Sequence, residues 1–322
     1  MSAAELVVTG IGSISPWGSD PAQLRLGPGY TPAAQEHWFD AATELKGRRG
    51  FKYAPPACGY LLAATRRAIE DAGDVLACVP ETRRGMAVGT NVGIVGLLDA
   101  MDETVTSASA DQLSPASAPY FSVNTIAGRV SMEYAIKGWN LTLTSPRSAG
   151  LEAIMTGARA VAAGRSTLLL AGAFEARVPR HHGGVDVSEA GASMLVLEPR
   201  SAAADRGAKS YGSCAVATFF VPDDTAVGGE ALHLVKRVIT DTSTPPLAAS
   251  LIADDSPVST AVAEQLRSFG LDVDITPAGA GALLPMLHVA HGLARGGDPH
   301  IVATASGDGT CALAVLRPEP AA

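Results

Sequence analysis

The segment 145-SPRSAGLEAIMTGARAVAAGR-165 has the build of an active-site turn running into a buried helix. A Ser-Pro turn comes first, small residues follow, and a helix rich in Ala and Gly continues from them. A nucleophile at the tip of such a helix gains from the helix dipole, which favours negative charge at the N-terminus. The tip here carries Arg147, flanked by Ser145 and Ser148. A guanidinium stays protonated and cannot act as a nucleophile at neutral pH. In a closed pocket its charge is costly unless it is paired. Arg147 is therefore expected to be exposed, bound to a carboxylate, or plugging a pocket through hydrogen bonds. Ser145 and Ser148 read as helix-capping serines. The alternative for Ser148 is a nucleophile served by His181 or His182, for which the spacing gives no support.

The remaining groups with chemical potential are scattered. Cys58, Cys78, Cys214 and Cys311 form no C-x-x-C pair, so neither a metal site nor a disulfide framework is expected. His181 and His182 lie in RVPRHHGGVD, which reads as an exposed loop, and His288 and His291 sit on a helix of small residues. The glycines of GTNVG (89–93) and SGDGT (306–310) lack the strand–helix context of a phosphate cradle.

The elements that must position these groups follow from hydrophobic patterning. Strands are expected at 5–9, 85–90, 140–145, 167–172 and 192–198, and helices at 60–73, 93–104, 122–135 and from the opening segment. Residues 247–253, 271–275 and 301–316 continue the strand pattern. Ser256 and Pro257 start a helix that Gly270 ends, and a further helix is expected over 279–295. The stretch 231–239 reads as a strand or a helix–strand junction. Strand and helix alternate, which predicts an α/β fold with parallel strands. The grammar repeats, so two related halves are expected, residues 1–205 and 206–322, joined without a flexible linker in one compact unit.

Of the 322 residues, 47% are hydrophobic, 17% charged and 5% aromatic, which predicts a large aliphatic core. The net charge is −8, and no Lys/Arg run interleaves with aromatics, which argues against nucleic-acid binding. No basic n-region opens the chain and no apolar run reaches about 20 residues, so a cytoplasmic protein is expected.

Several segments in order carry a family resemblance: VVTGIGSISPWG near the start, GTNVG, NTIAGRVSMEYAIKGWNLTLTS, AGLEAI, VAAGRSTLLLAGAFE, EAGASMLVLEPRSAAADRGAKSYG and the terminal ASGDGTCALAVL. Together they resemble the β-ketoacyl synthases, the condensing enzymes of fatty-acid and polyketide assembly. The resemblance implies a duplicated thiolase-like fold of five layers, αβαβα, truncated in its loops, with no cofactor and no metal. It places Arg147 where the family carries its cysteine. The family's first catalytic histidine corresponds to the segment around Asp254 and Asp255, and its lysine and second histidine to 271-LDVDITPAGAGALL-284. Its phenylalanine-rich gate loop corresponds to Ser306, Gly307, Asp308 and Gly309, with the aromatics lost.

These departures lead to the expectation that the chain is not an enzyme on its own. The subtype implied is a divergent chain length factor of a type II polyketide synthase. Such a subunit forms a heterodimer with a cysteine-bearing ketosynthase and shapes the acyl tunnel, and acyl carrier protein docks mainly through that partner. Leu97, Leu98, Met101, Phe121 and Ile126 are the expected tunnel or interface residues. Two rival readings accompany this one: an acyltransferase of the same fold with an altered nucleophile, and an acyl-binding protein without a partner.

Overall fold

The computed structural model describes residues 5–26, 38–47, 54–179, 188–222, 233, 235–236 and 246–319. Among the described residues ten strands form two sheets. The first holds β1 (Leu6–Ile14), β2 (Arg84–Gly89), β3 (Asn140–Leu143), β4 (Leu168–Glu175) and β5 (Gly191–Pro199), in the order β1-β5-β4-β2-β3. The second holds β6 (Gly212–Phe220), β7 (Ala248–Ala253), β8 (Asp272–Pro277), β9 (His300–Ala305) and β10 (Thr310–Pro318), in the order β6-β10-β9-β7-β8. One order maps onto the other strand for strand, so the two sheets share one topology.

The sheets are mixed rather than parallel throughout. β2 pairs parallel with β3 and β4, but β5 runs antiparallel to both β4 and β1. The second sheet repeats this, with β10 antiparallel to β9 and β6. Apolar runs such as LLLAGAFE mark a strand buried on both faces but carry no record of its direction.

Helices make the other layers. On the outer face of the first sheet lie α1 (Pro56–Asp71) and α3 (Asn124–Glu133), reached after α2 (Val95–Ser107). Between the sheets lie α4 (Ala149–Ala162) and α7 (Leu283–Arg295), packed through Leu151, Ile154, Leu283, Met286 and Leu287. A short α5 (Arg200–Asp205) follows β5, and α6 (Pro257–Ser268) covers the outer face of the second sheet with Val258, Val262 and Leu266. The layers thus run helix, sheet, helix, sheet, helix. The stretch 231–239 falls mostly outside the described residues. α7 starts at Leu283 rather than at 279, because tertiary hydrogen bonds hold the residues before it out of the helix.

Small residues let the two central helices meet. A Cβ added at Gly150 would lie 2.5 Å from Met286 Cγ and 2.8 Å from the Ala282 carbonyl oxygen. Gly150→Ala must push α4 and α7 apart, and the expected cost is about 1–3 kcal/mol of overpacking. A chemical-denaturation midpoint unchanged from wild type would contradict this account of the central layer.

Candidate functional site

The chain leaves β3, turns through Ser145, Pro146, Arg147 and Ser148, and enters α4. The Ser148 amide donates to the Pro146 carbonyl at 2.6 Å, closing a tight turn centred on Arg147. Arg147 has φ +58°, a left-handed conformation that side chains other than Gly rarely adopt. Such a strained residue persists where its surroundings fix it. Its own amide donates to the Ala280 carbonyl, at 3.4 Å.

Arg147 is buried, with 7% exposure. Its Nη1 donates to Ser306 Oγ at 2.7 Å and lies 3.1 Å from Asp254 Oδ2, and its Nη2 donates to the Ala278 carbonyl at 3.2 Å. Of the three dispositions open to this arginine, the structure combines two: it is paired with a carboxylate and hydrogen-bonded into a closed pocket. The surface-arginine reading does not hold.

Asp254 follows β7. Its Oδ1 accepts from Ser259 Oγ at 2.7 Å and from the Ser256 amide at 3.2 Å, and its Oδ2 accepts from the Gly307 amide at 2.9 Å. Burial pushes the carboxyl up, but the bonds from Ser256, Gly307 and Ser259 and the Arg147 charge outweigh it and hold the group at about 2. Positions 147, 254, 306 and 307, expected from three separate segments, therefore belong to one hydrogen-bonded ion-pair network. Asp308 is exposed and accepts from the Thr310 amide, and the Gly309 amide donates to the Ser306 carbonyl, so both serve the β9–β10 turn. Beside Asp254 opens a mainly apolar cleft of about 480 Å³, lined by Leu251, Ala253, Ile275 and Pro277 among others.

Ser145 and Ser148 do not cap the helix with their hydroxyls. Both hydroxyls donate to Glu152 instead, Ser145 to Oε2 at 3.1 Å and Ser148 to Oε1 at 2.5 Å. A carboxylate in the first turn of α4 is favoured by the helix dipole and accepts a hydrogen bond from each hydroxyl.

Two buried acids complete the surroundings, and sequence reasoning missed both. Glu175, at the end of β4, accepts from the amides of Asn91 (2.7 Å), Val92 (2.9 Å) and Ala282 (2.8 Å) and from Thr90 Oγ1 (3.0 Å). Glu189 accepts from the amides of Leu283 and Leu284 at 2.8 and 2.9 Å. Burial pushes Glu175 up to about 7, and burial plus the neighbouring Glu175 pushes Glu189 up to about 8. The signal was a charged residue closing an otherwise apolar strand, and a Gly with no room for a side chain: a Cβ at Gly281 would meet the Glu189 carboxyl at 2.6 Å.

The other candidates lie elsewhere. Burial pushes the thiols of Cys58, Cys214 and Cys311 up to about 12, while Cys78 is exposed. His288 and His291 border a separate cleft with His300, and none of its lining residues belongs to the Arg147 network. His181 and His182 lie outside the described residues. Leu97, Leu98 and Met101 are half-buried on α2, and Phe121 is 66% exposed. Ile126 is fully buried in the outer core beside Val130, so it backs the surface rather than forming it. No described helix is long and apolar enough to cross a membrane.

Residues 19–214 match the N-terminal domain of β-ketoacyl synthases. The chain is 26% identical over 255 residues to 3-oxoacyl-(acyl-carrier-protein) synthase 2 of Vibrio harveyi, a match that covers 66% of this chain and 61% of that protein. It is 27% identical over 193 residues to the synthase of the same name from Coxiella burnetii, covering 54% and 46%. The chain thus spans about three fifths or less of the length of these relatives. Among solved structures it resembles the ishigamide ketosynthase/chain length factor, with a TM-score of 0.77, 22% identity and coverage of 98% and 99%. It resembles equally a type II polyketide synthase ketosynthase in complex with its acyl-carrier protein and bound to the hexaketide, with a TM-score of 0.77, 19% identity and the same coverage. The fold is that of the thiolase-like ketosynthases.

The expectation that the chain is not an enzyme on its own is corrected here. The curated relatives are synthases by name, and no observation shows this chain to lack catalysis. The chemistry of Arg147 excludes a thioester at residue 147, and that statement does not extend to the rest of the chain. A family match over more than half of the sequence, joined to two sheets of one topology around the turn at residue 147, makes this chain a member of the β-ketoacyl synthase family.

Proposed function

We propose that this chain is one subunit of a two-subunit β-ketoacyl synthase in type II polyketide assembly, of the chain-length-factor kind. A cysteine-bearing ketosynthase is the partner, the pair condenses acyl chains held on an acyl carrier protein, and this subunit forms part of the acyl tunnel wall. The observation that carries the proposal is α2. It is a 13-residue helix with apolar Leu97, Leu98 and Met101 and not one fully buried residue. On it Val105 is 41% exposed, and after it in sequence Phe121 and Met132 are 66% and 68% exposed. β3 is the end strand of its sheet. An end strand with unpaired backbone groups, and a group of exposed large apolar side chains, both ask for a covering surface. A second subunit of the same fold supplies one.

The pairing has a direct test. The chain is co-expressed with a cysteine-bearing ketosynthase and the product is sized by light scattering. The expected result is a one-to-one complex that extends acyl chains on the carrier protein. A stable monomer that never forms the complex overturns the proposal. Within the active pair, Leu98→Phe narrows the tunnel and shortens the main product by about one two-carbon step. Two methylenes are worth about 1.6 kcal/mol when buried, or roughly a fifteenfold change in the ratio of adjacent products. An unchanged product ratio means that Leu98 does not face the acyl chain.

The altered-nucleophile reading rests on the Ser148–Glu152 contact. Ser148 is only 1% exposed, which favours the subunit reading over an acyl-serine. Labelling of the isolated chain at Ser148 by an acyl thioester would reverse that preference.

A further inference from the structure

We infer that Glu175 is a positioning residue for tunnel depth: its buried carboxylate ties the turn from which α2 departs to the start of α7, and so fixes how far α2 stands from the central layer. This deepens the tunnel reading above and rests on it. The Thr90 amide donates to the Leu143 carbonyl at 3.0 Å, and the rest of the turn at 90–93 converges on Glu175. Thr90 Oγ1 and the amides of Asn91 and Val92 all donate to Glu175, and the Gly93 amide donates to Thr90 Oγ1 at 3.1 Å. The helix bearing Leu97, Leu98 and Met101 begins two residues later.

The other end of the tie is equally specific. The Ala282 amide, just ahead of α7, donates to the same carboxylate, and Asn91 Nδ2 returns a bond to the Ala280 carbonyl at 2.8 Å. The Ala280 and Ala278 carbonyls also accept from Arg147, through its amide and Nη2. Among the described residues Glu189 holds the next two amides, of Leu283 and Leu284, and makes no bond to the 90–93 turn. The two acids divide the work: Glu175 joins two segments, while Glu189 secures one.

Above about pH 7, where Glu175 is ionised, a carboxylate that accepts four bonds cannot be replaced by an amide of the same shape. Glu175→Gln turns an NH₂ toward at least one donor, so that at least one bond is lost and its donor is left buried. Glu189→Gln keeps one oxygen for Leu283 and Leu284. Thr90→Val removes one hydroxyl at nearly constant shape, and serves where Glu175→Gln does not fold.

The test has two arms. In the first, amide hydrogen exchange of the full chain is measured. Glu175→Gln, or Thr90→Val, is expected to speed exchange at Asn91, Val92 and Gly93 at least tenfold, whereas Glu189→Gln leaves these three unchanged. In the second, product length is measured with the assembled pair. Glu175→Gln is expected to broaden the length distribution, while Glu189→Gln preserves it. Unchanged exchange in both Glu175→Gln and Thr90→Val overturns the inference. So does an unchanged length distribution in a pair where Leu98→Phe does shorten the product. If Leu98→Phe has no effect either, the tunnel reading fails, and the exchange arm still decides whether Glu175 ties the two segments.

Discussion

Asp254→Ala destabilises the protein by about 3–5 kcal/mol, and Arg147→Met by clearly less, although both break the same ion pair. The asymmetry follows from what each substitution leaves behind. Without Asp254, the Arg147 guanidinium keeps only Ser306 Oγ and the Ala278 carbonyl, at a site where its side chain is 9% exposed. A charge then sits in low dielectric without the carboxylate that was bonded to it. Without Arg147, Asp254 keeps Ser259, Ser256 and Gly307 as donors and is 26% exposed, so water and three hydrogen bonds still solvate it. The double variant costs less than the two single changes together, because the contact it loses is counted once. Urea midpoints at constant m-value read all three. Equal costs for the two single variants would show that Arg147 reaches solvent, and the closed-pocket account would be wrong.

The same pair shows what a sequence conceals. Arg147, the Asp254 segment and the 306–309 turn each stand out alone as departures from a motif. Nothing in the sequence joins residues 147 and 306, which are 159 positions apart. Their meeting is a property of the fold, which brings the ends of β7 and β9 to the tip of α4. Strand and helix identities were legible because long apolar runs and the Ser256-Pro257 start carry strong local signals. Strand direction was not, since an apolar strand covered on both faces has the same composition either way up. The start of α7 was placed four residues early for a related reason. The run PAGAGA is small and helix-compatible, and Arg147, Asn91, Glu175 and the Ala253 carbonyl, which accepts from the Ala278 amide, hold those residues in another conformation.

Glu175 and Glu189 mark the limit more sharply. A glutamate closing LLLAGAFE reads as the polar end of a strand, yet it is 0% exposed. Its partners come from residues 90–92 and 282, and no local pattern announces them. The functional error had the opposite origin. Arg147 says something firm about one position, and that certainty was extended to the chemistry of the entire chain, which the relatives do not support.

The two buried glutamates also predict how stability responds to pH. Their carboxyls titrate at about 7 and about 8 in the folded protein, against 4.5 for an unperturbed glutamate. Between those limits the native state holds protons that the unfolded chain has released. Their contribution to stability is present at low pH and is lost as pH rises through 7 to 8, at up to about 1.4 kcal/mol per pH unit for one group. His288 acts with the opposite sign. Burial pushes it down to about 3, so it favours the native state as pH rises toward 6.5. The window that isolates the glutamates is therefore pH 6.5 to 8. Glu189→Gln removes the more strongly shifted carboxyl and leaves Glu175, which its own burial raises. The variant should be more stable than wild type at pH 8 by about 2–3 kcal/mol, and across that window its stability should fall with pH at roughly a third of the wild-type slope, the part that Glu175 supplies. Thermal melts of both proteins at pH 6.5, 7.25 and 8 make the comparison, in which the histidine contribution cancels. A pH slope in Glu189→Gln as steep as that of wild type would mean that both carboxylates are already ionised and compensated in the folded protein, held by the five amides and the Thr90 hydroxyl that point at them.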